Sequence, residues 1–347
     1  MIGNPLGRIA RSLLILVSVL SLIACEGQAP SSGEDAKPTV TVYSSRKEHL
    51  VKPLFDRYTA KTGVEIRYIT DSAGPLIARL AAEGSNTPAD VLMTVDAGNL
   101  WQATEQNLLR PLTSQTLNSN IPEHLRSANN DWFGLSIRAR TIVYATDRVQ
   151  ASELSTYENL ADPAWLGRLC LRTSKKVYNQ SLVATMISTL GEADAESVVS
   201  GWVANFSTDP FSSDTTMMEA IEAGQCDLGI ANTYYFGRMK KADPNLKLAL
   251  FWPNQNDRGV HINISGAGVT KHAKQAQAAQ ELLEWLSGPE AQGQLAELNQ
   301  EYPANPLIKP SATVQAWGEF KADDINVEVA GRLQAAAVRL MDRADYR

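Results

Sequence analysis

The feature that most constrains this chain is its alternation of short β-branched runs with amphipathic helical stretches. Residues 39–43 combine β-branched residues with a tyrosine and read as a strand. Leu50, Val51, Leu54, Phe55 and Tyr58 then fall on one face of a helix that Gly63 closes. Residues 64–69 alternate apolar and polar as a second strand. Pro75 opens a helix carrying Leu76, Ile77 and Leu80, and residues 89–94 read as a third strand. Further strands are expected at 141–144, 169–172, 228–231 and 246–251, and helices at 181–190, 195–204, 215–223 and 276–286. Strands alternating with helices imply a parallel sheet covered on both faces. A length of 347 residues fits about two domains. The expected class is α/β, with two lobes whose strand ends and helix N-termini face a cleft where a ligand binds.

At the N-terminus Arg8 and Arg11 precede an apolar run from Leu13 to Ile23, and Ala24-Cys25 offers a small-residue cleavage point. Residues 1–24 read as an export signal. The run Leu22-Ile23-Ala24-Cys25 resembles a bacterial lipobox, in which Cys25 takes a lipid and the peptide before it is removed. The apolar run is shorter than the roughly 20 residues a full span needs. Residues 25–37, with Gly, Pro, Ser and Asp, then tether the domain to that lipid. An exported chain meets an oxidising compartment, so Cys170 and Cys226 are a candidate disulfide, against the alternative of two separate buried thiols. A net charge of -6 without any Lys/Arg-rich run speaks against nucleic-acid partners.

No Walker loop, dinucleotide glycine fingerprint, Gly-x-Ser-x-Gly elbow, His-Glu-x-x-His or Cys-x-x-Cys occurs, and the four histidines stand far apart. The chain reads as a binder and not as an enzyme. Its informative segment is Ala231-Asn232-Thr233-Tyr234-Tyr235-Phe236-Gly237. Cys226 precedes Tyr234 by eight residues, and Cys170 precedes Tyr178 by eight. Bridged cysteines, each followed by an extended segment, would deliver these tyrosines to the same end of a sheet.

Three phenol oxygens at one point suit ferric iron, which is small, hard and trivalent and prefers anionic oxygen donors. A free tyrosine, with a pKa near 10, ionises at neutral pH only when such a cation supplies the driving force. Three phenolates balance the ion's charge. The remaining coordination positions need water or an exogenous anion, which in turn needs a cationic partner. Arg138 and Arg140, expected just before a strand, are the candidates, since a guanidinium holds carbonate or carboxylate in a bidentate fork. Blander roles fit the same residues: the tyrosines as aromatic walls of a sugar or amine pocket, the arginines as a solvated face or an interlobe salt bridge.

These segments occur together with Val42-Tyr43-Ser44-Ser45-Arg46, Thr87-Pro88-Ala89-Asp90-Val91, Ser136-Ile137-Arg138-Ala139-Arg140 and Tyr178-Asn179-Gln180-Ser181. Ser265-Gly266-Ala267-Gly268, Ser287-Gly288-Pro289-Glu290-Ala291-Gln292 and Glu301-Tyr302-Pro303 complete the set. In all of them the chain resembles the ferric-iron-binding proteins of bacterial ABC uptake systems, in their tyrosine-rich branch.

The resemblance implies a two-lobed periplasmic-binding-protein type II fold with a hinge and an interlobe cleft. Residues 38–135 and 265–305 would form the N-lobe, 136–264 and 306–347 the C-lobe, with hinge strands near 134–137 and 262–265. It implies Tyr178, Tyr234 and Tyr235 as metal ligands, and a synergistic anion such as carbonate held by Arg138 with Ser44 or Ser45, Arg140 being a further candidate. The chain departs from some relatives at two positions. Their first-loop His aligns with Lys47, leaving His49 as an additional candidate ligand, and their Glu after the third strand is Val95, beside the candidate Asp96.

The implied protein is a monomeric carrier, lipid-anchored in the periplasm, that delivers ferric iron to an ABC permease and its ATPase. The rival expectations are a carrier of the same fold for a polyamine, thiamine or phosphonate, and an exported enzyme using a carboxylate or Ser181.

Overall fold

The computed structural model describes residues 37–347. The export signal, Cys25 and the tether up to residue 36 lie outside the described residues. The strands are β1 (Thr39–Ser44), β2 (Glu65–Thr70), β3 (Val91–Val95), β4 (Phe133–Ala145) and β5 (Leu169–Cys170). They are followed by β6 (Leu228–Asn232), β7 (Leu248–Phe251), β8 (Ile262–Val269) and β9 (Tyr302–Pro303). Hydrogen bonding orders them β2-β1-β3-β8-β4-β6-β5, with β7 and β9 also on β4.

β1 runs parallel to β2 and β3, and β5 parallel to β6, as βα alternation predicts. β8 is antiparallel to both β3 and β4, and β4 is antiparallel to β6 and β7. The sheet is therefore mixed, not parallel throughout. Local alternation fixes the direction of consecutive βα units only; β4 and β8 pair with strands far away in sequence, whose direction no local pattern reports.

β4 changes partners along its length. Its first part, up to Ala139, pairs with β8, and from Arg140 onward it pairs with β6 and β7. The change of partners falls between Ala139 and Arg140, a few residues beyond the 134–137 stretch expected to cross between lobes. Arg138 and Arg140 consequently sit inside a strand and not before one.

The helices are α1 (Glu48–Thr62), α2 (Ala73–Glu83), α3 (Ala97–Glu105), α4 (Gln115–Asn120) and α5 (Val177–Leu190). Next come α6 (Glu192–Ala204), α7 (Asp214–Glu222), α8 (Thr233–Ala242), α9 (Ala276–Ser287) and α10 (Pro289–Asn299). The last are α11 (Ala312–Gln315), α12 (Glu328–Arg332) and α13 (Gln334–Arg343). α1 buries Val51, Leu54, Phe55 and Tyr58, and ends where Gly63, at φ 72°, donates its N–H to the Thr59 carbonyl. Only glycine takes that left-handed conformation without a steric penalty, so the expected stop is a stereochemical one. α2 buries Leu76, Ile77 and Leu80. Near the C-terminus, α12 packs on both α3 and α5, and α13 on α5 and α6.

Cys170 and Cys226 form a disulfide with Cα atoms 6.0 Å apart. It lies in a small apolar cluster with Met217, Met218, Ile221 and Phe236, beneath the strands that lead to the tyrosines.

Candidate metal centre

Both sides of the disulfide lead to the same place by different routes. After Cys226, β6 runs to Asn232 and α8 starts at once, making Tyr234 and Tyr235 its second and third residues. After Cys170, β5 has already ended, and the chain turns before α5 begins with Tyr178 as its second residue. Thr173 folds that turn, its hydroxyl accepting from the Lys175 N–H and its carbonyl from the Lys176 N–H. The expected extended run from Cys170 to Tyr178 is thus broken by a turn. The tyrosines still converge, because β5 and β6 are parallel neighbours and each is followed by a helix. All three phenols stand on the first turn of a helix, where unpaired N–H groups and the dipole favour negative charge.

Tyr178 and Tyr234 are 8% and 7% exposed, and Tyr235 is half-buried. The Tyr234 and Tyr235 rings lie 4.4 Å apart. Asn232 Nδ2 donates to the Tyr234 hydroxyl at 3.2 Å, and Arg172 Nη1 to the Tyr235 hydroxyl at 3.5 Å. Four cations surround the rings. The Arg138 guanidinium lies 5.2 Å, the Arg172 guanidinium 5.6 Å and the Lys176 ammonium 5.3 Å from the Tyr178 ring centre. Arg238 lies 5.1 Å from the Tyr234 ring and 5.6 Å from the Tyr235 ring.

Burial pushes the Tyr178 phenol up, and Arg138 pulls it part of the way back. Burial raises Tyr234 well above the ordinary tyrosine range, with repulsion from Tyr178 and Tyr235 adding to it. Without a metal, both stay protonated at neutral pH. Burial and the neighbouring Arg172 lower Lys176. The set holds hard oxygen donors that a highly charged cation would ionise, inside a field of fixed positive charge that would then attract an anion.

Arg138 is the group best placed for that anion. It is 2% exposed and gives one hydrogen bond, from Nη1 to Ser265 Oγ at 3.2 Å. Among the described residues its Nε and Nη2 have no hydrogen-bond acceptor, and Asp96 Oδ2 stays 3.8 Å away, outside hydrogen-bonding range. Buried donors of this kind call for an acceptor supplied from outside the chain.

Residues 53–322 match the family described as bacterial extracellular solute-binding protein. The chain belongs to that family. It is 39% identical to iron uptake protein A1 of Synechocystis sp. over 351 residues, covering 98% of this chain and 97% of that protein. Iron uptake protein A2 of the same organism is 42% identical, over 89% of this chain and 90% of its own length. A Trichodesmium protein solved in complex with iron and citrate ligands superposes with a TM-score of 0.86 at 45% identity, covering 89% of this chain and 100% of that one. This solute-binding protein has the periplasmic-binding-protein type II fold of its structural neighbours.

Within this solute-binding protein, the other residues singled out from the sequence fall in different surroundings. Arg140, also fully buried, spends its donors on Asn179, Asp214, Asn232 and the Ile230 carbonyl, and so cross-links β4, β6, α5 and α7 instead of offering N–H groups to an anion. The pair with Asp214 is a buried salt bridge, but all of these partners lie within 136–264, the stretch expected to form one lobe with Arg140, so it is not the interlobe bridge weighed for it. Ser44 Oγ accepts from the Arg46 N–H and Ser45 Oγ from the Val95 N–H, both at the carboxyl end of β1. His49 is exposed on the first turn of α1. Asp96 is fully buried and accepts from Gly98, Ser181 and Asn263, so its oxygens already have partners.

Arg172, Lys176, Arg238 and Asn232 join the tyrosines without having been singled out. Arg172 follows Cys170 by two residues and Arg238 follows Tyr234 by four, one helical turn, so position alone could have flagged both. A second buried pair, Arg46 with Glu301 at 3.2 Å, is joined through Ser136.

Proposed function

We propose that this chain captures ferric iron through Tyr178, Tyr234 and Tyr235, completes the coordination with an anion held by Arg138, and delivers the ion to an ABC permease driven by its ATPase. The reading is supported most by one observation: the phenols stand on helix first turns, and a buried guanidinium with donors unpaired among the described residues lies 5.2 Å from the Tyr178 ring. Iron uptake proteins and an iron-bound neighbour among the relatives point the same way.

The anion is a carbonate or a carboxylate, both of which match a guanidinium fork. The Trichodesmium neighbour was solved in complex with iron and citrate ligands. Lobe closure pivots on β4 and β8 and sequesters the ion from water, which strengthens each ligand contact. The working form is a monomer in the periplasm, held to a membrane by lipid on Cys25.

Adding ferric iron to the mature chain with bicarbonate, with citrate, or with neither tests this directly. A visible phenolate-to-iron charge-transfer band at one equivalent, strengthened by one of the two anions, is the expected result. A colourless protein indifferent to iron would overturn the proposal and leave a carrier for an organic solute.

A further inference from the structure

Asp96 is the most constrained residue near the tyrosines that the proposed capture of iron does not use. It lies between β3 and α3 with φ at 86°, a backbone conformation that a residue with a side chain rarely takes. Such a conformation persists only where the surroundings over-determine it. Here they do. The Asp96 N–H donates to the Ile264 carbonyl at 2.8 Å, and its carboxylate accepts from the Gly98 N–H and from Asn263 Nδ2, each at 2.9 Å. Asn263 Oδ1 in turn accepts from the Ala97 N–H.

All of these groups belong to β8 or α3. A further partner does not. Ser181 Oγ, on α5, donates to both Asp96 oxygens at 2.9 and 3.0 Å, and both residues are fully buried. Ser181 follows Tyr178 by three residues, so it occupies the next turn on the same side of the helix.

We propose that Asp96 is a positioning residue that clasps the tyrosine-bearing helix α5 to the β3–β8 half of the framework through Ser181, and thereby sets how long bound iron is retained. Asp96 is not a ligand in this account, because its oxygens are taken. The link crosses from α5, which follows β5, to the loop after β3, so opening the cleft requires breaking it. The effect on iron rests on the proposed ferric function; the clasp itself does not.

The test uses the mature protein with Ser181→Ala, Asp96→Asn and the double variant, with two readouts. In the metal-free protein, amide hydrogen exchange is expected to rise about tenfold in the first two turns of α5 for Ser181→Ala, with β6 unchanged. In the iron-loaded protein, loss of the charge-transfer band to excess chelator is expected to be roughly tenfold faster, with the band maximum unmoved. Because both residues act through one bond, the double variant should lose iron no faster than the faster single variant.

Unchanged exchange in α5 of Ser181→Ala would overturn the clasp whatever the metal does. Iron loss from Ser181→Ala no faster than from wild type, where wild type develops the band, would overturn the effect on retention. A wild-type protein that never develops the band would sink the ferric reading while the exchange result still decides the clasp.

Discussion

Replacing Arg138 with Gln and, separately, with Lys distinguishes the two jobs the site gives this side chain. The first is electrostatic. Taking the 5.2 Å between the guanidinium and the Tyr178 ring as the charge separation, a phenolate there gains about 3 kcal/mol at an effective dielectric of about 20. That corresponds to roughly a hundredfold in affinity for any cation that must ionise Tyr178. The second job is geometric, since the unpaired Nε and Nη2 are the donors available to an anion. Arg138→Gln removes both contributions, whereas Arg138→Lys keeps the charge and loses the planar fork. Competition titrations against a chelator, followed at the charge-transfer band, measure the two. Arg138→Gln should bind ferric iron about a hundredfold more weakly even without added anion. Arg138→Lys should approach the wild-type value without anion and lose the strengthening that anion brings. Affinities for Arg138→Gln within threefold of wild type under both conditions would refute the electrostatic reasoning.

Arg140 should behave in the opposite manner. Arg140→Gln leaves Asp214 buried without one of its cationic partners and should cost about 3–5 kcal/mol of stability, read by denaturant unfolding, while anion dependence persists. Removing the disulfide with paired Cys170→Ser and Cys226→Ser changes should cost about 4 kcal/mol in the chain-entropy account, seen as a drop in melting temperature that wild type shows only under reduction.

His261 should make the metal-free protein sensitive to acid. Burial, followed by the field of Arg140, Arg138 and Arg258, pushes its pKa down to about 3 from the ordinary 6.5. Between those values the unfolded chain binds the extra proton, so its contribution is intact above pH 6.5 and shrinks as the pH falls toward 3, by roughly 4–5 kcal/mol in all. A melting profile against pH should flatten over that window in His261→Gln; an unchanged profile would remove His261 from the account.

Much of the framework was legible because its signals are local. Gly63, the buried stripe of α1 and the Leu76–Ile77–Leu80 face of α2 follow from periodicity and backbone stereochemistry. What was not legible is long-range. The pairing of β4 with β8 in its first part and with β6 and β7 in its second depends on residues far apart in the sequence, and no run of side chains encodes it. For the same reason Arg138 and Arg140 looked alike in sequence, two residues apart on one strand. They part company only because β4 changes partners between them, leaving one with free donors and the other saturated.

The tyrosines show a third case. Equal spacing from the two cysteines pointed to their convergence. The turn at Thr173 breaks the extended segment on which that reasoning rested, and the helix starts of α5 and α8 bring the rings together instead.

Resonance Raman spectra of the ferric-loaded protein, excited within its visible band, test most directly whether these three phenols hold the ion. Wild type should show enhanced tyrosinate ring modes, and Tyr178→Phe, Tyr234→Phe and Tyr235→Phe should each lower their intensity and shift the band. Iron bound without tyrosinate modes, or modes that survive all three substitutions, would contradict the account.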